Sequence, residues 1–393
     1  MEPRHIVPDG MTVRSAEIAA AVAEALKSDL VPMSDWLASG HEQYASQRSR
    51  AIERTLELAA SGEPPSAHDV QGMRVIGEEF ARNHAPLSLL VISLEVGIVA
   101  LMRESWRALP GDRFADMTQF TGQVALLAET GRQVALRGYL QTRAEIEGRP
   151  EREILAEALI SGECTPETAQ AMGERLAPGY LVLAYAVTDP ARVDARQVAA
   201  VHRAIDEVPG SLYCGDLSAL VVLLPAGEAA RPPEETGAEL AGRLPALAGQ
   251  PVLAARARRP DLAGIPAAHE EARQALSLVK AVPDAGATVY QMDDLLPELS
   301  IARQPDIRRR LAALLAPLDA RPDLLRTLGV LLACDLDRER TASELGIHRR
   351  TLRYRLDRIK TLSGIAPDSL PGIQLLRAAL TAQHLQEQAP DEL

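Results

Sequence analysis

Little in this chain is equipped for disulfide, metal or redox chemistry. It has three cysteines in 393 residues, Cys164, Cys214 and Cys334. An odd number at such separations indicates neither a disulfide framework nor a zinc site. The expectation is reduced thiols in a cytoplasmic protein, with no metal and no cofactor. Aromatic residues are scarce at 3%, and Ala and Leu supply most of the 47% apolar fraction, which favours helices. Long apolar runs are missing too. The most apolar stretch, "LSLLVISLEVGIVALM" (87–102), is short for a bilayer and interrupted by Glu95, so it reads as a buried core helix. The N-terminal "MEPRHIVPDG" has no apolar run behind its basic residues, so neither a signal peptide nor a membrane partner is expected. There is no fixed-period repeat and no sizeable low-complexity tract.

What is present divides into three patterns. Residues 12–148 carry apolar positions three and four apart throughout, as in "AEIAAAVAEALKSDL" and "RSRAIERTLELAASG", which predicts a helical N-terminal bundle. Between 152 and 292 the character changes. "GYLVLAYAV" (179–187), "LSALVVLLP" (217–225) and "PVLAARA" (251–257) are compact apolar runs suited to buried strands. Helical stretches such as "RQVAAVHRAIDEV" and "AAHEEARQALSLVKAV" alternate with them, which predicts an α/β domain. From about 295 the strand signals stop, and 320–388 reads as all helix. The fold class expected is therefore multidomain, α and α/β.

Charge marks out one segment. The chain as a whole carries −12, yet "RERTASELGIHRRTLRYRLDRIK" (338–360) carries +5, leaving −17 on the remainder. Such a contrast suits one surface built for a polyanion on a body that otherwise repels it. The apolar positions give the geometry. Ala342 and Leu345 lie three apart, Gly346 permits a tight turn, and Leu352, Leu356 and Ile359 form one face of a second helix. Two short helices about a Gly-containing turn describe a helix-turn-helix. With those three residues inward, Arg349, Arg350, Arg353 and Tyr354 lie on or near the outward side, at the end of the helix that enters the major groove. Arg pairs with guanine, and Thr351 or Tyr354 can reach a phosphate or a base. Arg358 and Lys360 lie further along, toward backbone phosphates.

These residues carry a resemblance. "TASELGIHRRTLRYRLDRI", with "LLRTLGVLLACDLD" before it, resembles the C-terminal helix-turn-helix of PucR/CdaR-type bacterial transcriptional regulators. That family commonly shows His-x-Asn-Thr-Leu-Arg-Tyr-Arg-Leu, matched here at His348, Thr351, Leu352, Arg353, Tyr354, Arg355 and Leu356. Arg350 stands where the family usually has Asn, so the preferred operator can differ, since Asn favours adenine and Arg guanine. The candidate DNA-binding set is thus His348, Arg349, Arg350, Thr351, Arg353, Tyr354, Arg355, Arg358 and Lys360.

Upstream, "LYCGDLSALVVLLP" (212–225) is similar to the signature hairpin of a degenerate GGDEF-like domain, with Cys214, Gly215, Asp216, Leu217 and Ser218 at the five motif positions. Asp216 keeps one carboxylate, but Leu217 replaces the acid that magnesium-dependent phosphoryl chemistry would need. No cyclase activity is expected, and Asp216 is read as a turn former. "EEFARNHAPLSLLVISLEVGIVALMRESW" resembles the helical, globin-like N-terminal domain of RsbR-type stressosome proteins, which lacks haem. His84 has no partner at ligand spacing and reads as structural. Trp36, Trp106 and Tyr44 either line a ligand pocket or fill the bundle.

The expectation is a DNA-binding transcriptional regulator, a homodimer or higher homo-oligomer on double-stranded operator DNA, answering to a small-molecule or protein effector. A stress-signalling scaffold and a nucleotide-handling enzyme are the alternatives.

Overall fold

A computed structural model describes residues 15–29, 42–108, 114–227, 231–259, 261–283, 285 and 288–387. The chain falls into two compact units, the first ending at Leu176 and the second beginning at Ala177.

The described part of the first unit is helical: α1 (Ser15–Asp29), α2 (Glu42–Ser61), α3 (Ala67–Arg82), α4 (Leu87–Ala108), α5 (Phe114–Glu147), α6 (Glu151–Ile160) and α7 (Pro166–Ala171). Ile18, Val22 and Leu26 of α1, Leu56 of α2, Leu101 of α4 and Phe120, Val124 and Leu127 of α5 close one core. Spacings of three and four along α1 and α5 make that face. Two glycines bring α3 and α5 unusually close: a Cβ at Gly77 would stand 1.7 Å from the Ala135 carbonyl oxygen, and one at Gly138 2.8 Å from that of Arg74. Any side chain at 77 would force these helices apart. Ser66 caps α3, accepting from the Asp69 amide at 3.3 Å while the Asp69 carboxylate accepts from the Ser66 amide at 2.8 Å. This reciprocal pairing satisfies two backbone donors that the first turn leaves without a partner. At the other end His84, at φ 53°, ends the helix in the left-handed region, with the Ala85 amide donating to the Phe80 carbonyl at 3.0 Å. His84 thus terminates a helix. Of the three aromatic residues considered above, Trp106 is 44% exposed and does not fill the core. Trp36 lies outside the described residues, as does the side chain of Tyr44.

The second unit opens with β1 (Gly179–Val187), α8 (Ala195–Asp206), β2 (Leu212–Cys214), β3 (Leu220–Ala226), α9 (Pro233–Ala248), β4 (Val252–Arg258), α10 (Ile265–Val279) and β5 (Val289–Tyr290). The sheet order is β2-β3-β1-β4-β5. All pairings are antiparallel except β4 with β5, so the first four strands form a β-α-β-β-α-β unit. Central β1 is buried at every position, which explains why it reads as a continuous apolar run. Leu181, Leu183, Tyr185 and Val187 alternate along it and meet Val201 and Ile205 of α8 and Leu240 and Leu244 of α9. Helix α10 packs on β1 and β4.

The unit continues as helices: α11 (Leu296–Arg303), α12 (Pro305–Ala313), α13 (Pro322–Ala333), α14 (Arg338–Glu344), α15 (Arg349–Ser363) and α16 (Leu370–Glu387). Leu324, Leu328 and Leu331 of α13, Ala342, the trio Leu352, Leu356 and Ile359, and Ile373, Leu376 and Leu380 of α16 share one core. Leu315 and Leu318, just upstream of α13, belong to it and are fully buried. The molecule is thus mostly helical with one small mixed sheet, of class α and α/β.

Candidate nucleic-acid interface

Helices α14 and α15 are set by their ends. Asp337 caps α14, its carboxylate accepting from the Glu339 and Arg340 amides at 2.8 and 3.1 Å. The chain reaches this cap through Asp335 and Leu336, at φ 51° and 65°, a conformation that costs a non-glycine residue roughly 1–2 kcal/mol. Gly346 turns the chain at φ 61°, where glycine bears no such penalty. The Ile347 amide then donates to the Ala342 carbonyl at 3.0 Å and closes the turn.

His348 is the N-cap of α15, its Nδ1 accepting from the Arg350 amide at 3.2 Å. Its ring is therefore committed to the helix start, a role that the basic character of the segment concealed. Gly364, at φ 73°, ends the helix.

The phase of α15 sorts the candidate residues. Leu352, Leu356 and Ile359 are buried. Arg349, Arg350, Thr351, Arg353, Tyr354 and Lys360 are exposed, and Tyr354 is 66% exposed, unusually open for an aromatic side chain. Arg349 pairs with Glu339 of α14 at 2.5 Å. Among the described residues, Arg350 and Arg353 have no side-chain ion-pair partner, so their guanidinium donors face solvent.

Arg355 and Arg358 are placed differently. Arg355 is half-buried; its Nη1 donates to Thr327 Oγ1 at 3.1 Å and its Nε lies 3.8 Å from Asp323. It ties α15 to α13. Arg358 is half-buried with its Nε buried, so its stem packs while the tip of the guanidinium is left for contact. The site is thus a ridge of arginines, one tyrosine and one threonine along the first two turns of α15, with Lys360 a turn and a half beyond.

The second position singled out in the sequence is the β2–β3 hairpin. Gly215 turns at φ 87°, and a Cβ there would lie 2.3 Å from the Ala219 carbonyl oxygen. The Asp216 carboxylate accepts from the Ser218 hydroxyl and from the Ser218 amide at 2.8 Å. These bonds hold its pKa below the usual carboxylate value, the hydroxyl bond most of all. Leu217 is buried in the sheet core, and its carbonyl accepts from the Val187 amide at 2.9 Å. Asp216 shapes a turn, and Leu217 serves packing.

Residues 324–382 match the PucR C-terminal helix-turn-helix domain. The class of this region is therefore a PucR-type helix-turn-helix, which supports a DNA-binding transcriptional regulator and points away from an enzyme. Along its whole length the chain is similar to the uncharacterized protein Rv2242 of Mycobacterium tuberculosis (strain ATCC 25618 / H37Rv), at 24% identity over 423 residues covering 98% of this chain and 95% of the relative. The uncharacterized protein Mb2266 of Mycobacterium bovis gives the same identity and coverage. Among solved structures, a regulator of polyketide synthase expression from Bifidobacterium adolescentis is 19% identical, covering 65% of this chain and 99% of that one, with a TM-score of 0.30. That superposition is too loose for residues to be compared. Among the described residues no helix is long and apolar enough to cross a membrane.

Proposed function

We propose that this chain is a sequence-specific transcriptional regulator that reads operator DNA with α15 and works as a homodimer or higher homo-oligomer. In this reading Arg350 and Arg353 meet base edges in the major groove, while Arg349, Thr351 and Tyr354 contact bases or the sugar-phosphate chain. Arg358 and Lys360 meet phosphates, and His348 and Arg355 fix the helix that presents them. Residues 320–388, with Leu315 and Leu318 completing their core, form the DNA-binding domain. The helical first unit and the GGDEF-like sheet portion of the second, from Ala177 to about 292, receive the signal, a small molecule or a protein, and carry no catalysis.

One observation carries this reading: exposed Arg349, Arg350, Arg353 and Tyr354 share one face of a helix whose other face, Leu352, Leu356 and Ile359, is buried. A helix that needed arginines only to cover its neighbours would lay them along the core edge, as Arg355 does. The test is selection of DNA fragments retained by the purified full-length protein, repeated at two salt concentrations. A recurrent motif, with affinity falling steeply as salt rises, is the expected result, because protein cations displace counterions from phosphates. Retention without sequence preference, or none at low salt, overturns the reading.

A further inference from the structure

Helix α4 carries a stripe of apolar side chains that stay partly open to solvent. Ile92, Val99 and Trp106 recur every seven residues and are 43%, 66% and 44% exposed. Seven residues are close to two turns, so the three lie along one line, roughly 21 Å from first to last. Glu95 and Arg103, both exposed, lie beside that line, with half-buried Val96 and Met102 at its edges. The other side of the helix is occupied, since Leu90, Ala100 and Leu101 are buried.

The stripe is symmetric about Val99. Val96 and Met102 are each three positions away, Glu95 and Arg103 four, and Ile92 and Trp106 seven. Every pair matches apolar with apolar or acid with base. A second α4 laid antiparallel, with a two-fold axis at Val99, sets Val99 on its own copy and Ile92 on the copy's Trp106. Glu95 then stands level with the copy's Arg103 across the seam. An isologous interface requires self-complementarity of this kind. Parallel pairing would instead bring Glu95 beside Glu95 and Arg103 beside Arg103, like charges at contact. Arg103 bonds Glu104 of its own helix at 2.9 Å, but Glu104 also pairs with Arg107 at 2.9 Å, and the Arg103 side chain is itself open to solvent.

We propose that two copies of this chain associate through α4, antiparallel, about a two-fold axis at Val99. This rests on the homo-oligomer part of the proposed function and is independent of DNA binding.

The test uses the full-length protein and sedimentation over a range of concentrations. Wild type should be a dimer. Glu95→Arg and Arg103→Glu should each weaken it at least tenfold, and the double exchange E95R/R103E should restore it. Restoration ties the loss to the pairing of the two charges, and circular dichroism of each single variant shows that it had folded. Val99→Cys places two thiols at the axis, and mild oxidation should give a covalent dimer. The native cysteines are all buried, so the new thiol accounts for the bond. Leu126→Cys, on α5 and 64% exposed, should remain uncrosslinked. A monomeric wild type, or a dimer indifferent to both charge reversals, overturns the proposal. A dimer with these responses that retains no DNA supports the interface and overturns the regulator reading; a monomer that selects an operator does the reverse.

Discussion

Helices α4 and α15 are built alike on the inside and differ on the outside. Each buries one apolar face, Leu90, Ala100 and Leu101 in α4 and Leu352, Leu356 and Ile359 in α15. Outward, α15 shows arginines and a tyrosine, whereas α4 shows two aliphatic residues and a tryptophan around one acid and one base. Folding constrains the inward faces most. In the readings proposed above, the outward ones meet partners by different physics. A cationic ridge acts over about a Debye length and weakens with salt. An apolar stripe acts only at contact and responds to protein concentration.

That contrast can be broken most forcefully from the inside. Ile359 is fully buried, so Ile359→Ala should cost about 2–5 kcal/mol, read as a lowered urea midpoint, with DNA retention lost as the domain unfolds. Val99→Ala, in the exposed stripe, should leave the dilute protein within about 0.5 kcal/mol of wild type. Equal losses would mean that Val99 is core after all.

Next in size come the arginines proposed to face bases. Arg350→Ala or Arg353→Ala should each cost about 1–3 kcal/mol on the preferred site and relax selection at one base position, measured by binding-site selection. If Arg350→Ala changed neither affinity nor preference, the reading face would lie elsewhere on the helix.

The third comparison is between basic residues that differ in placement. Lys360→Ala and Arg358→Ala should weaken binding to all sequences and lower the salt slope by about one per lost phosphate contact. Exposed Lys360 should give the cleaner effect, because Arg358 also packs. Arg355→Ala should leave the slope unchanged and lower stability by about 1 kcal/mol through its lost bond to Thr327. A reduced slope for Arg355→Ala would show that it touches phosphate.

The smallest effect concerns pH. Asp216 titrates below the usual 3.8 in the folded protein because it accepts from Ser218. Its contribution is therefore complete above that unfolded value and is lost as pH falls through it toward the folded value. Urea unfolding of wild type and Asp216→Ala should differ by a constant amount from pH 7 to 5, and the gap should narrow below pH 4. A constant gap down to pH 3 would show that the carboxylate charge is irrelevant to the turn.

Much of this was legible in the residues. The spacing of Leu352, Leu356 and Ile359 gave the phase of α15, and with it the exposure of Arg349, Arg350, Arg353 and Tyr354. The unbroken run at 179–187 gave the central strand. Non-local roles left no local trace. Arg355 stands in a row of arginines and differs only because Thr327, 28 positions earlier, folds back beside it. His348 looks like one more base until its ring accepts from the backbone. Strand order is likewise silent in the sequence, since nothing near β1 announces that β3 and β4 will flank it. Residues 152–171 read as the start of the α/β segment. In the structure they are α6 and α7 of the first unit, and Arg137 of α5 bonds the Met172 carbonyl at 2.7 Å just beyond them. A contact 35 positions long cannot be seen in a window of helical periodicity.

The core beneath the basic ridge does not stop where the ridge's own helices begin. Leu315 and Leu318 fill it from upstream of α13, and α16 closes it on one side while packing on α11 and α12. His384 of α16 contacts the Ala281 carbonyl at 3.2 Å, just past the end of α10. Helix α16 is thus a party wall, shared by the reading head and the segment that follows the sheet. A cut at residue 320 would remove two leucines from one room and bare the far side of the wall. By the same masonry, whatever shifts that wall disturbs the core on which the arginines' helix rests.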